Sequence, residues 1–287
     1  MWNLKSIPKQ AFFYWGSPRM SFLRWMTLYS FRKLNPDWKI LLYIPTMLSD
    51  QNNWANKMFD HEKVDFIDYT GKVKDLNIEI VEFDFSQLDI CNYTNEVHKS
   101  DLLRYYLLHK YGGIYSDMDI LWIQPLEKML ANKLNEDKTD YVYFGKCPGG
   151  LDDGHAIGFL LSSLNSPIYH DIYHQAHGKL SHRESNDYQI IGVDLLNSNF
   201  RGAYIDKQYK TIGYLDKDCV YSIDHDDREY LYDKLGLHLI TENTIGIHWY
   251  GGSEYVRKLI HNVNHTNYLT YDNKGTLIYM LRKSFRK

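Results

Sequence analysis

One stretch constrains this chain more than any other: Thr94 to Ile123, reading TNEVHKSDLLRYYLLHKYGGIYSDMDILWI. Leu102, Leu103, Tyr106 and Leu107 recur at helical spacing and form an apolar stripe with polar flanks. Gly112 suits the position that ends such a helix, because a left-handed φ costs glycine little. Gly113 lets the backbone turn tightly into the next element. Ile114 to Trp122 then reads as one apolar strand. Side chains alternate along a strand, so Asp117 and Asp119 are expected on one face, about 6–7 Å apart at Cα. Two carboxylates that close repel and raise each other's pKa. A divalent cation removes the conflict, and oxygen ligands of this kind suit Mg²⁺ or Mn²⁺, which commonly also bind substrate phosphates. The helix places Asp101 and Arg104 three residues apart on a common face. One unit thus presents an acid, a guanidinium, the Tyr115 hydroxyl and a carboxylate pair, a set suited to a ligand with hydroxyls, a ring and a diphosphate.

Around this unit, short apolar segments alternate with helical ones. Strands are expected at Phe12–Trp15, Lys39–Ile44, Ile78–Phe83, Tyr141–Phe144 and Ala156–Leu161. Helices are expected at Ser21–Leu34, stopped by Asn35-Pro36-Asp37, at Ser49–Tyr69, and at Ser166–His177, with Ser as cap and Pro at the first turn. Such alternation argues for a mostly parallel sheet flanked by helices. Ligands in such sheets sit at the carboxyl ends of the strands, where Trp15 and the aspartate pair fall. Neither a repeat nor a linker divides the 287 residues, which read as a single domain, 1–287. About residues 1–125 would form the half that carries this unit, and about 126–287 the other half.

The net charge of −3 gives no basic excess for nucleic acid. Cys91, Cys147 and Cys219 are odd in number and lack metal-ligand spacing, which fits reduced thiols. No apolar run reaches membrane-spanning length, and the start MWNLKSIPKQ reads as neither leader nor anchor. The expected location is the cytoplasm of a bacterium or of a virus-infected host cell. Asp152-Asp153 reads as a polar turn, with a second metal site as the alternative. Residues 216–230 read as a solvated acidic loop. The C-terminal cations beside Tyr279, Met280 and Phe285 read as a solvated tail, with peripheral contact to an anionic membrane as the alternative.

Ser100-Asp101-Leu102-Leu103-Arg104 followed by Tyr111-Gly112-Gly113-Ile114-Tyr115-Ser116-Asp117-Met118-Asp119 resembles the sugar-binding region of the DxD-containing glycosyltransferases. The nearest group is the Och1-like and capsular or lipooligosaccharide sugar transferases, and the glucosylating clostridial toxins share the string. Ile7-Pro8-Lys9 through Trp15-Gly16 is similar to that family's first strand, and Ile247-His248-Trp249-Tyr250-Gly251 to its His-x-x-Gly segment. The resemblance implies a GT-A fold, a UDP- or GDP-sugar donor, Mn²⁺ or Mg²⁺, retention of anomeric configuration, and a glycan, lipid-linked or protein acceptor. It assigns base stacking to Trp15, against a core Trp at a strand end, and a third metal ligand to His248, against a core His. Asp117 and Asp119 would hold the cation, Asp101 accept from sugar hydroxyls, Arg104 donate to sugar or phosphate, and Tyr115 contact ribose. Gly192-Val193-Asp194 stands where many relatives have Thr-Gly-Pro, with Ile191 and Val193 in place of the Thr and Pro, and Asp194 becomes a candidate for sugar or acceptor contact. Were the anomer inverted, a general base would be sought among Asp152, Asp153 and Asp194. Rival classes are a binding module without turnover and a DxD phosphohydrolase, although Ile120-Leu121-Trp122 continues an apolar run where the latter has Gly or Thr. A glycosidase is disfavoured, since carboxylates on one strand face do not flank a glycosidic bond.

Overall fold

Strands and helices alternate from Gln10 onward in the computed structural model of the chain, which describes residues 7–49, 66–128, 140–143, 156–181, 189–200 and 212–285. Strand β1 (Gln10–Tyr14) leads to α1 (Phe22–Leu34), β2 (Lys39–Pro45), a 3₁₀ turn at Thr70–Leu76 and β3 (Glu79–Phe83). Then come α2 (Glu96–Tyr111), β4 (Gly113–Ser116), β5 (Ile120–Trp122), β6 (Asp140–Tyr143) and β7 (Phe159–Ser162). The remainder is α3 (Pro167–Ser181), α4 (Val193–Phe200), β8 (Ile212–Leu215), α5 (Arg228–Tyr232), β9 (Gly246–His248), α6 (Arg257–Asn262) and α7 (Thr276–Phe285).

The main sheet has seven strands in the order β3-β2-β1-β4-β7-β6-β8. Pairing is parallel except where β7 meets β4 and β6. The chain runs outward from β1 to β3 and then returns to β4 on the other side of β1. The strand order therefore reverses between β1 and β4, the place where sheets of this kind open a crevice. Alternation along β1 sends Phe13, and Trp15 just beyond the strand, to one face, and Phe12 and Tyr14 to the other. Leu28 and Phe31 of α1 cover the first face; α2, α3 and α4 cover the second. The far side of α1 packs on β9 and α5, α6 and α7 in a third apolar cluster.

Local signals explain the helix ends. The Ser21 hydroxyl accepts from the Arg24 amide, and Asn95 Oδ1 accepts from the His98 amide at 2.8 Å, each capping a helix start. Asn35 closes α1 by donating to the Phe31 carbonyl at 3.0 Å, while its Oδ1 accepts from the Leu126 amide at 2.9 Å. Gly112 and Gly113 carry φ of 61° and 98°, values a side chain rarely tolerates.

Three expectations need correction. The segment Ile114–Trp122 is not one strand. It breaks at Asp117–Asp119, and β5 leaves the main sheet to pair antiparallel with β9. The tertiary structure supplies the ladder bonds lost there: the Asp117 amide donates to Gly158 O at 2.7 Å, the Met118 carbonyl accepts from Thr27, and the Asp119 carbonyl accepts from the Trp249 amide. The expected helix Ser49–Tyr69 lies largely outside the described residues, and its end, Phe66–Tyr69, is non-helical. Finally, Met280 and Phe285 are buried and Arg282 donates to the carbonyls of Tyr268 and Tyr271. The apolar face of α7 is thus committed to the protein core, leaving Tyr279 exposed. Among the described residues no helix is long and apolar enough to cross a membrane.

Candidate functional site

Beyond the carboxyl ends of β1 and β4 lies a cleft of about 520 Å³. Asp117 and Asp119 reach it from the turn between the two sheets. His248 reaches it from the end of β9, because β9 pairs with β5 in the register Ile120↔His248. Ligating atoms of Asp117, Asp119 and His248 all lie within 4.8 Å of one another. The break in the strand thus brings the aspartates together with the histidine, where simple alternation along one strand would not.

Asp119 is held on both oxygens. Oδ1 lies 3.3 Å from His248 Nε2, and Oδ2 accepts from the Gly251 amide at 2.7 Å with the Arg24 guanidinium 3.7 Å away. Burial pushes its pKa up, but the histidine, the arginine and the amide outweigh that and hold it below the usual carboxylate range. A Cβ on Gly251 would meet the Arg24 guanidinium and displace it from beside Asp119.

Asp117 is pushed the other way, by burial that outweighs the pull of Arg104, with Asp119 adding its own charge. Arg104 Nη2 sits 2.7 Å from Asp101 Oδ1 and 3.2 Å from Asp117 Oδ1. Its Nη1 donates to Ile157 O at 2.7 Å, and the guanidinium lies over the Tyr115 ring at 4.7 Å. Burial alone would lower the pKa of Arg104, but Asp117 and Asp101 outweigh it and keep the guanidinium cationic. Asp101, 3 % exposed, is pushed up to about 7 by burial, against the pull of Arg104.

The expected residues therefore divide. Asp101, Arg104, Asp117, Asp119 and His248 all line the cleft. Arg104 acts on its neighbouring carboxylates rather than pointing freely at a ligand, because its donors are already directed at protein acceptors. Trp15 is 2 % exposed, donates to Arg19 O at 3.1 Å and carries the Arg24 guanidinium 5.2 Å from its ring; its odd position along β1 turns it into the α1-side core. Tyr115 is buried and its hydroxyl meets Ser100 Oγ at 2.7 Å, so it supports Arg104 from below. Asp194 is exposed on α4, while Val193 beside it lines the cleft and Gly192 abuts Asp101. Asp152 and Asp153 lie outside the described residues.

The sequence reading passed over Arg24, Tyr221, His225 and Arg228, which all line the cleft. Residues 216–230 are accordingly not only a solvated acidic loop: Tyr221 is 8 % exposed and packs on His248 with ring centroids 4.9 Å apart. The available signal was the apolar run Cys219–Tyr221 opening that stretch. For Arg24 it was a cation set within the apolar run Phe22–Met26 of a helix.

Residues 24–138 match the family described as the glycosyltransferase sugar-binding region containing a DXD motif. No curated relative matches the chain by sequence. Among solved structures, the PaToxG glycosyltransferase is 19 % identical with a TM-score of 0.50, over 71 % of each chain. The galactosyltransferase LgtC, solved with donor and acceptor sugar analogues, is 14 % identical with a TM-score of 0.44, over 84 % of this chain and 87 % of its own. GlyE of Streptococcus pneumoniae TIGR4 is 10 % identical with a TM-score of 0.49, over 98 % of this chain and 61 % of its own. The fold is that of the GT-A glycosyltransferases. Residues 24–138, with Asp117-Met118-Asp119 as the DXD motif, thus carry the sugar-binding region of the DXD-containing glycosyltransferases.

Proposed function

We propose that the protein transfers a hexose from a nucleoside diphosphate sugar, a UDP- or GDP-sugar, to a hydroxyl of a glycan, lipid-linked or protein acceptor. The observation that carries this reading is the convergence of Asp117, Asp119 and His248 at the strand-order reversal. Two carboxylates and an imidazole are a donor set that Mn²⁺ accepts readily and Mg²⁺ less so. The 3.3 Å between Asp119 Oδ1 and His248 Nε2 suits neighbouring ligands of one ion: atoms each about 2.1 Å from a cation at right angles lie about 3 Å apart. When bound, the cation supplies Lewis-acid stabilisation of the charge growing on the diphosphate.

The chain's own groups then have separate tasks. Arg24 and the Gly251 amide keep Asp119 ionised and aimed. Arg104 fixes Asp101 and Asp117 relative to each other. Asp101, with its pKa near neutrality, is suited either to accept from or to donate to a sugar hydroxyl. In the transfer, the bond from the anomeric carbon to the phosphate oxygen breaks and its electron pair leaves with the diphosphate. The acceptor oxygen bonds to that carbon, and its proton passes to the departing phosphate. Retention of configuration is the expected outcome. It is what the resemblance to the DXD-containing glycosyltransferases implies.

A donor screen tests the reading. UDP- and GDP-hexoses incubated with Mn²⁺ should give slow release of free sugar from one donor, abolished by EDTA. Proton NMR of the earliest product should show the donor's anomer. Undiminished turnover in EDTA would remove the metal, and an inverted anomer would remove the retaining assignment.

A further inference from the structure

The guanidinium groups lining the described cleft belong to Arg24, Arg104 and Arg228, and their surroundings differ. Arg104 is bonded to Asp101 and Asp117. Arg24, 3 % exposed, sits beside Asp119 and lies 4.7 Å from the Trp249 ring. Arg228 begins α5 at the rim. Its Nη1 meets His225 Nε2, and its guanidinium lies 5.1 Å over the Tyr255 ring.

Three of the acidic side chains near Arg228 in sequence face other partners. Asp224 pairs with Lys217, Asp226 Oδ1 lies 3.6 Å from His225 Nδ1, and Glu229 pairs with Lys234 at 2.8 Å. His225 is held below its ordinary pKa by burial and by Arg228, which favours the neutral ring. A neutral imidazole nitrogen accepts a hydrogen bond from the guanidinium and leaves its charge in place. Tyr255, 56 % exposed, offers a face that steadies the cation without neutralising it.

This cation is coupled to the metal-ligand set by contact. The His225 ring packs edge-on to Tyr250 at 5.3 Å, and Tyr250 packs edge-on to His248 at 4.5 Å. Tyr250 has φ of 44°, uncommon for an aromatic residue, and its hydroxyl donates to Ile223 O at 3.0 Å. Strain of this kind persists where the surroundings over-determine it, and here it sets the ring between the two histidines.

We propose that Arg228 is the diphosphate-binding residue of the cleft, donating to phosphate oxygens of the nucleoside diphosphate beside the Asp117–Asp119–His248 set. The proposal rests on the glycosyl-transfer reading above. A guanidinium matches phosphate geometry with paired N–H donors. Its charge would act most strongly as negative charge accumulates on the departing diphosphate. His225 and Tyr255 are positioning residues for it.

The test is calorimetric titration of the unaltered protein, Arg228→Gln and Arg228→Lys, first with Mn²⁺ alone and then with UDP and GDP in the presence of Mn²⁺. Arg228→Gln should bind Mn²⁺ within about twofold of the unaltered protein and keep its thermal midpoint. It should bind the nucleoside diphosphate at least about tenfold more weakly, and Arg228→Lys should recover part of the loss. Unchanged diphosphate affinity in Arg228→Gln would overturn the assignment and leave the glycosyl-transfer reading intact. Parallel loss of Mn²⁺ affinity, diphosphate affinity and thermal midpoint, with no recovery in Arg228→Lys, would make the residue structural and overturn it too. If the unaltered protein binds neither diphosphate with Mn²⁺, the glycosyl-transfer reading fails and the Arg228 assignment fails with it.

Discussion

Asp117 and Asp119 are two residues apart in the chain, yet their surroundings push their pKa values in opposite directions. His248, Arg24 and the Gly251 amide stabilise the ionised form of Asp119, whereas burial dominates at Asp117. Asp119 is thus the carboxylate held ready for a cation. Asp119→Ala should abolish metal-dependent donor hydrolysis, while Asp117→Asn, which keeps an oxygen near Arg104, should retain measurable turnover; initial rates across a Mn²⁺ series would compare them. Equal activity of Asp119→Ala and the unaltered protein would rule out this division of labour. Trp15 calls for a different experiment, because its indole is enclosed by core side chains and faces Arg24. Trp15→Ala should cost about 3–5 kcal/mol of stability through lost packing and the cavity left behind. UDP and GDP affinity should be preserved at temperatures where the variant stays folded. Urea unfolding and ligand titration of one preparation would separate the two effects. Lost affinity at unchanged stability would return the ring to base contact.

Helix α2 is buried along most of its length, including the charged Glu96, Lys99, Asp101 and Arg104. Burying such charges is tolerable because they are paired: Glu96 with Lys99 at 2.9 Å, Asp101 with Arg104 at 2.7 Å. Tyr14 donates to Glu96 and the Ser49 amide donates to its other oxygen at 2.7 Å, so the first turn of α2 also ties β1 to the loop after β2. The N-cap is a separable contribution. Asn95→Ala should lower stability by about 0.5–2 kcal/mol. It should leave donor-hydrolysis kcat close to that of the parent, since Asp101 and Arg104 lie further along the helix and are fixed by tertiary contacts. A thermal melt and a rate measurement check both halves; a collapse of kcat at unchanged stability would mean that the cap positions the site.

At the scale of the whole molecule, the metal-ligand set joins parts of the chain remote in sequence. Asp117 and Asp119 follow β4 in the main sheet, and His248 ends β9 in the small one. A cation bound by all three favours the native state over the unfolded chain. Mn²⁺ at a hundredfold excess over its dissociation constant should therefore add about 2.7 kcal/mol of stability. Scanning calorimetry should show a rise in thermal midpoint with Mn²⁺ for the unaltered protein and none for Asp119→Ala. A rise of the same size in both would place the ion elsewhere.

The elements around the site were legible because their signals are local. Hydrophobic periodicity, the Asn35-Pro36-Asp37 stop and the Gly112-Gly113 break each operate within a few residues, and α1, α2 and the first strands follow from them. The pairing of Asp101 with Arg104 was legible for the same reason, being one helical turn. The sequence by itself therefore determined the frame, the strand ends near which the site lies, and which acids would lie together there. The tertiary structure decided which way residues at element ends would face. Trp15 went to the core because β1 has a helix layer on both faces, and the strand through Asp117 broke because β9 and Gly158 offered its backbone other partners. It also recruited Arg24 through Asp119 and Trp249, and His225 and Arg228 through Tyr250 and Tyr255, all outside the element that carries each of them. No pattern within a window encodes such contacts; they follow from how the sheets and helices pack.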